Sequence, residues 1–329
     1  MISGRIASPA LRDRRSFLKL ILKASTVAQL NQAHAQLILI GLHATDVLAV
    51  TKLAQKLSDL HAIRHARKLV SSFPTPDLFL FNVIIRGFLR HCDPFSALSV
   101  YFHLRRSTSF EPDNFTYAFA MGALSSSPET ERFGFLLHAQ SVVGGYGANL
   151  FVGSAAVDMY LKFSRVAFAR KVFDGIPQPD TVLWNTMISG LVANGYFEDS
   201  VQVFRDAVLK GTKVDSTTLS ALLPAAAELL DLKLGMKIHG LALKVGFFHY
   251  HPHVLTGLIL LYSKSGDTPM AEMIFQQIEH RDLVSYNAMI SSYSSNNEIT
   301  SSVRLFNELL HSGGKANSST MVGLIPLFS

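Results

Sequence analysis

Apolar residues along this chain recur every three to four positions, in short blocks punctuated by Gly, Asn and Pro. In residues 181–215, Val182, Met187, Ile188 and Leu191 fall at helical spacing, which predicts an amphipathic helix. Asn194-Gly195 breaks the pattern, and Glu198-Asp199 open a second block, as acids suit a helix N-terminus. Lys210-Gly211 close that second block. The stretch therefore reads as a helical hairpin. No period-two alternation persists anywhere to predict a strand.

The hairpin recurs. Set against residues 283–317, Asn185 meets Asn287, Met187-Ile188-Ser189 meet Met289-Ile290-Ser291, Phe204 meets Phe306 and Lys213 meets Lys315. Set against 78–113, Asn185 meets Asn82, Ile188 meets Ile85 and Gly190 meets Gly87. Two further unit types follow the same grammar. Short units at 47–77, 150–180 and 252–282 contain Ala66-Arg67-Lys68 and Ala169-Arg170-Lys171 in the first two, and each ends in Asp. Longer units at 11–46, 114–149 and 216–251 carry His34, His138 and His239 at one place in their second helix. Residues 318–329 open another longer unit, Leu324-Ile325-Pro326 matching Leu222-Leu223-Pro224, and the chain ends within its first helix. A fixed cycle of helical hairpins predicts an array in which each unit packs on its neighbours. The expected fold class is all-α, a solenoid of antiparallel helix pairs.

Composition agrees. The 329 residues are 48% hydrophobic and only 16% charged, which excludes a disordered chain and suits helices buried on more than one side. No apolar run approaches the length of a membrane span, and no membrane partner is expected. Thirty Lys and Arg against twenty-four Asp and Glu give +6, a balance that favours an anionic partner. A single cysteine, Cys92, excludes an intramolecular disulfide and a multi-cysteine zinc site. Residues 1–10 read as a transit or disordered leader, since the first fifteen residues hold four arginines, two serines and one acid. The alternative is a polar lead-in to the first helix.

The Trp-Asn-Thr-Met-Ile-Ser-Gly string at Trp184, the Ala-Arg-Lys-Val-Phe-Asp run from Ala169 to Asp174 and the Gly-Met-Lys-Ile-His run from Gly235 to His239 resemble pentatricopeptide repeats. The cycle of long, short and standard lengths, 31 to 36 residues, is similar to the subclass of plant organelles that alternates such repeats. The resemblance implies a right-handed α-α superhelical solenoid and sequence-specific binding of single-stranded organellar RNA, one base per readable repeat. It implies a role in specifying a site of cytidine-to-uridine editing or other RNA processing, in the mitochondrion or alternatively the chloroplast. DNA is not an expected partner.

The residues implied for RNA contact are an apolar residue, a polar residue three positions on, and the unit's last residue. In the standard units these are Phe79, Asn82 and Asp113; Val182, Asn185 and Asp215; Val284, Asn287 and Asn317. In the short units they are Leu48, Thr51 and Asp77; Phe151, Ser154 and Asp180; His253, Thr256 and Asp282. The first two of each trio share a helix face. By the family's pairing rules, residues 47–317 would read guanine, uracil, unread, guanine, uracil, unread, guanine, pyrimidine, 5′ to 3′. The long units, with Ala118 and Asn149 or Ser220 and His251, depart from the pattern and are left unread. The competing reading makes Asn185 and its equivalents helix caps.

No catalytic residues, cofactor or metal are expected. Related proteins continue into a zinc deaminase-like domain, whose chemistry needs His-x-Glu and Pro-Cys-x-x-Cys strings; this sequence has neither. A deaminase or another editing-complex protein would then act in trans. His249, His251 and His253 cluster without a completing cysteine or carboxylate, and Gly144-Gly145-Tyr146-Gly147 follows no strand and reads as a turn. A scaffold for protein partners is the alternative function.

Overall fold

The computed structural model describes residues 14–107, 109–246, 251–279 and 281–325. The residues predicted as a leader, 1–10, lie outside these, as does His249. Nineteen α-helices and no strand occur among the described residues. The chain forms two compact bodies, Met1–Gln178 and Pro179–Ser329.

In the first body the helices are α1 (Arg14–Lys23), α2 (Val27–Leu39), α3 (Val47–Asp59), α4 (Ile63–Ser71), α5 (Leu78–Arg90), α6 (Pro94–Ser107), α7 (Asn114–Leu124), α8 (Glu131–Ser141), α9 (Leu150–Lys162) and α10 (Val166–Asp174). The second holds α11 (Thr181–Ala193), α12 (Phe197–Leu209), α13 (Ser216–Glu228), α14 (Leu232–Lys244), α15 (Pro252–Lys264), α16 (Thr268–Gln276), α17 (Leu283–Ser295), α18 (Ile299–His311) and α19 (Ser318–Leu324).

Odd-numbered helices are the inner layer of each body. Helix α5 buries Leu80, Phe81, Ile84, Ile85 and Phe88, because it packs on α3 before it, α7 after it and its own partner α6. Even-numbered helices touch fewer neighbours and bury a single stripe. In α4 that stripe is Ile63, Ala66, Leu69 and Val70, with Arg64, Arg67 and Lys68 exposed on the other side. The high apolar content is the consequence of an inner layer buried on three sides.

Two local devices set the geometry. Each of Asp46, Asp77, Asp113, Asp180, Asp215 and Asp282 accepts a hydrogen bond from a backbone N–H in the first turn of the inner helix that follows it, which satisfies an orphan donor and complements the helix dipole. The turns after α3, α5, α9, α11, α13, α15 and α17 each place one residue in the left-handed region: His61, Cys92, Ser164, Gly195, Leu230, Gly266 and Asn297. Backbone bonds such as Asp93 N–H to the Phe88 carbonyl and Tyr196 N–H to the Leu191 carbonyl close these ends, so the chain reverses in a few residues and the paired helices lie antiparallel. The glycine-rich stretch Val142–Tyr146 follows α8 as one wide turn with Gly145 at positive φ.

Candidate nucleic-acid interface

Near its N-terminus each inner helix of a standard unit carries an amide, buried in the first two units and half-buried in the third. Asn82 on α5 and Asn185 on α11 are only 4% and 8% exposed, so their polar ends need partners inside the protein. They find them on the next inner helix. Asn82 donates through Nδ2 to Asp113 Oδ1 at 3.0 Å, and its Oδ1 accepts from the Thr116 hydroxyl at 2.7 Å. Asp113 Oδ1 also caps Thr116 N–H at 2.8 Å. In the second body Asn185, Asp215 and Thr218 repeat the arrangement at 3.1, 2.7 and 2.8 Å. Asn287, Asn317 and Thr320 do so at 3.2, 2.7 and 3.0 Å. The reading that Asn185 caps a helix is overturned: the aspartates are the caps, and Asn185 bridges adjacent inner helices.

This network fixes which way the amide points. An ionised carboxylate only accepts, so it selects Nδ2, while the threonine hydroxyl donates to Oδ1. Burial pushes the Asp215 carboxyl up, but hydrogen bonds from Thr218 N–H, the Thr218 hydroxyl and the Asn185 amide outweigh it, and the net shift is downward. Asp215 is therefore anionic at neutral pH, and each Asn keeps one N–H and one oxygen lone pair beyond those the network uses.

The short units are built differently. Thr51 on α3, Ser154 on α9 and Thr256 on α15 donate their hydroxyls to the carbonyls of Val47, Leu150 and Pro252 at 2.6, 2.8 and 3.0 Å. Each hydroxyl then has only lone pairs to offer. Asp77 and Asp282 cap α5 and α17 through Leu80 N–H and Ser285 N–H, both at 2.8 Å. Phe151 and Ser154 belong to the first body, and Asp180 caps α11 in the second.

The apolar partners stand one turn nearer the helix start and face outward. Leu48, Phe79, Phe151, Val182, His253 and Val284 are all exposed, Val182 to 65%. A side chain held open beside a buried or half-buried polar group three positions on is a surface for a flat, polar-edged ligand. In the long units Ala118 is buried and Ser220 donates to the Thr217 carbonyl, so neither matches the standard pattern.

The three long-unit histidines reach across to the following unit. His138 and His239 meet the hydroxyls of Tyr160 and Tyr262 at 2.9 Å, and His34 meets His65 at 3.0 Å. Their role is inter-unit hydrogen bonding. Among the described residues no group of three or more His, Cys, Asp or Glu side chains is placed to hold a metal ion, and no helix is long and apolar enough to cross a membrane. The threonines at 116, 218 and 320 are the site residues that the sequence reading missed. Their signal was a capping box, Asp or Asn followed three residues later by Thr, at the head of each long unit that follows a standard one.

Helix pairs whose inner helices present recurring outward side chains beside recurring polar ones define a helical-repeat protein. The model of the PPR repeat family matches residues 179–228, and that of the PPR repeat matches 79–108, 254–283 and 284–314. The chain is 48% identical over 319 residues to pentatricopeptide repeat-containing protein At4g30700 of Arabidopsis thaliana, covering 97% of this chain and 40% of that protein. It is 29% identical over 285 residues to the Arabidopsis thaliana protein CRR2, named chloroplastic, covering 85% of this chain and 43% of the relative. Over the residues those two models match, the chain carries pentatricopeptide repeats. It spans well under half the length of those two relatives. Among solved structures it is similar to the pentatricopeptide repeat protein PPR10 in complex with an 18-nt psaJ RNA element, with TM-score 0.75, 16% identity, and 95% and 48% of the two chains covered.

Proposed function

We propose that the chain binds single-stranded RNA sequence-specifically in a plant organelle, one base to each standard or short repeat, and marks a site for cytidine-to-uridine editing or another processing event. It would recruit a deaminase or other editing protein and do no chemistry itself. The mitochondrion is the proposed compartment, with the chloroplast as the alternative. The observation that carries the reading is the threefold Asn–Asp/Asn–Thr network beside an exposed apolar residue.

Its chemistry supports the proposed base preferences. An amide held with one free N–H and one free lone pair complements the N3–H and O4 of uracil. A short-unit hydroxyl committed to its own backbone can only accept, as can the carboxylate, and guanine's Watson–Crick edge offers N1–H and the N2 amino group as donors. In the third standard unit Asn317 turns its Oδ1 to Thr320 N–H. Its NH₂ then takes the place of a carboxylate oxygen, which favours the broader pyrimidine preference.

Gel shift with an RNA carrying G-U-x-G-U-x-G-Y tests this against one with guanines and uracils exchanged. Tighter binding of the first by about tenfold or more is expected, since each mismatched polar contact leaves buried groups unpaired. Equal binding would sink the base assignment, and no binding of either at moderate salt would favour the scaffold reading. Asn185→Thr should move preference at one base from uracil toward guanine.

A further inference from the structure

The outer helices of the second body leave a groove with unanswered positive charge. Helices α12 and α14 both pack on α13, and between them lies a groove of about 390 Å³. Its floor is apolar: Phe204 on α12, with Leu234, Ile238 and Leu241 on α14. Its rim carries Arg205 from one helix and Lys233 and Lys237 from the other, all three exposed. Lys233 and Lys237 stand one turn apart on α14, a like-charge pair that destabilises the helix. Among the described residues no carboxylate forms an ion pair with any of the three. Asp231, the acid that lines the groove, accepts from Leu234 N–H at 3.0 Å as the cap of α14. The groove beside α16 and α18 shows the contrast. It is smaller, about 210 Å³, and its Arg281 is already paired with Glu308 at 3.0 Å.

We propose that the α12–α14 groove docks an acidic amphipathic helix of a partner protein, its apolar face on Phe204, Leu234 and Leu241 and its carboxylates against Arg205, Lys233 and Lys237. An apolar floor with a cationic rim complements that chemistry. A nucleic-acid backbone would answer the rim but leave the floor uncovered. No strand occurs among the described residues to pair the backbone of an extended segment, so the occupant satisfies its own hydrogen bonds as a helix. Helices α12 and α14 have 13 residues each and so offer about 20 Å of groove, enough for about four turns of a docked helix. The groove lies on outer helices and the proposed base readers on inner ones, so docking there is separate from base reading and does not depend on it.

The test titrates the full chain against a fluorescein-labelled peptide of about 18 residues, or five helical turns. The peptide carries Leu at i, i+3, i+4 and i+7 with Glu on both flanks. A counterpart with Lys for Glu and a scrambled peptide of the same composition are titrated beside it. Anisotropy should show the Glu peptide binding about tenfold or more tightly than either. Lys233→Glu with Lys237→Glu should lower that affinity about tenfold and raise affinity for the Lys peptide. Arg64→Glu with Lys68→Glu makes the same change in net charge one turn apart on exposed positions of α4, and should shift it less than about twofold. Saturating G-U-x-G-U-x-G-Y RNA should leave peptide affinity within about twofold of its starting value. No binding of the Glu peptide, equal affinity for all three peptides, or an equal loss in the two double variants would overturn the docking site. Displacement of the peptide by RNA, with weaker RNA binding in the Lys233→Glu, Lys237→Glu variant, would assign the rim to phosphate contacts and overturn it too. Loss of guanine–uracil discrimination would sink base reading alone and leave the peptide result standing.

Discussion

At the residue scale, the central fact is that the proposed reading amides are held from behind. Thr218 is 4% exposed, and its hydroxyl donates to Asn185 Oδ1 at 2.7 Å. Thr218→Val preserves shape and leaves the Asp215 cap on the backbone N–H, but removes the donor from a buried amide oxygen. The expected cost is about 1–3 kcal/mol, read as a lower urea midpoint. The freed amide should also discriminate uracil from cytosine less well in RNA titrations, and Thr218→Ser should restore both. Unchanged stability and discrimination would show that the hydroxyl serves only the cap. Asn185 and Asp215 were legible as a recurring pair because both repeat in register. Asp215 holding Asn185 in place was also open to the sequence, but Thr218 as the third member was not, because Asp215 ends one unit in sequence while belonging structurally to the start of the next helix. A cap and a reading group look alike in one dimension.

At the element scale, the turns that close the inner helices make one demand, a residue at positive φ, and the sequence meets it unevenly. Gly195 and Gly266 adopt it freely, whereas Leu230 holds φ 52° with its side chain 61% exposed. Leu230→Gly should relieve left-handed strain that outweighs glycine's greater unfolded-state entropy, stabilising the fold by about 0.5–1 kcal/mol. A lowered thermal midpoint would show that the Leu230 side chain contributes packing its exposure does not suggest. Helix period and breaks were readable from the sequence, but a Leu or Cys in a position glycine normally fills gives no local sign of the turn's handedness.

The inter-unit histidines also belong to this scale. Burial lowers His138 and His239, and burial with neighbouring charge lowers His34 and His65. A histidine depressed in the fold takes up a proton more readily when unfolded, so its contribution is intact above the unfolded value near 6.5 and falls as pH drops toward the folded one. Urea midpoints should therefore decline between about pH 7 and pH 5.5, a window above the ordinary carboxylate range. His138→Gln with His239→Gln should make the decline shallower. A decline of the same slope in that variant would assign the pH dependence to other groups.

At the scale of the whole molecule, the excess of basic residues and the reading amides and hydroxyls make separable demands on binding. The chain carries +6, but several cations are already engaged within the protein, as in Arg165 with Glu131, Arg281 with Glu308 and Lys264 with Glu228. Phosphate contacts release counterions and weaken with salt whatever the base sequence. Contacts from Asn82, Asn185, Thr51 and Ser154 are neutral on the protein side and made beside a packed surface, where screening is small. Raising salt from about 50 to 200 mM should thus lower affinity for matched and exchanged RNAs by the same factor, leaving their ratio within about twofold of its starting value. The two slopes of log affinity against log salt should be parallel. A ratio that collapses toward one as salt rises would mean that discrimination rests on charge, and that the amides and hydroxyls of the inner helices only hold the helix pairs together.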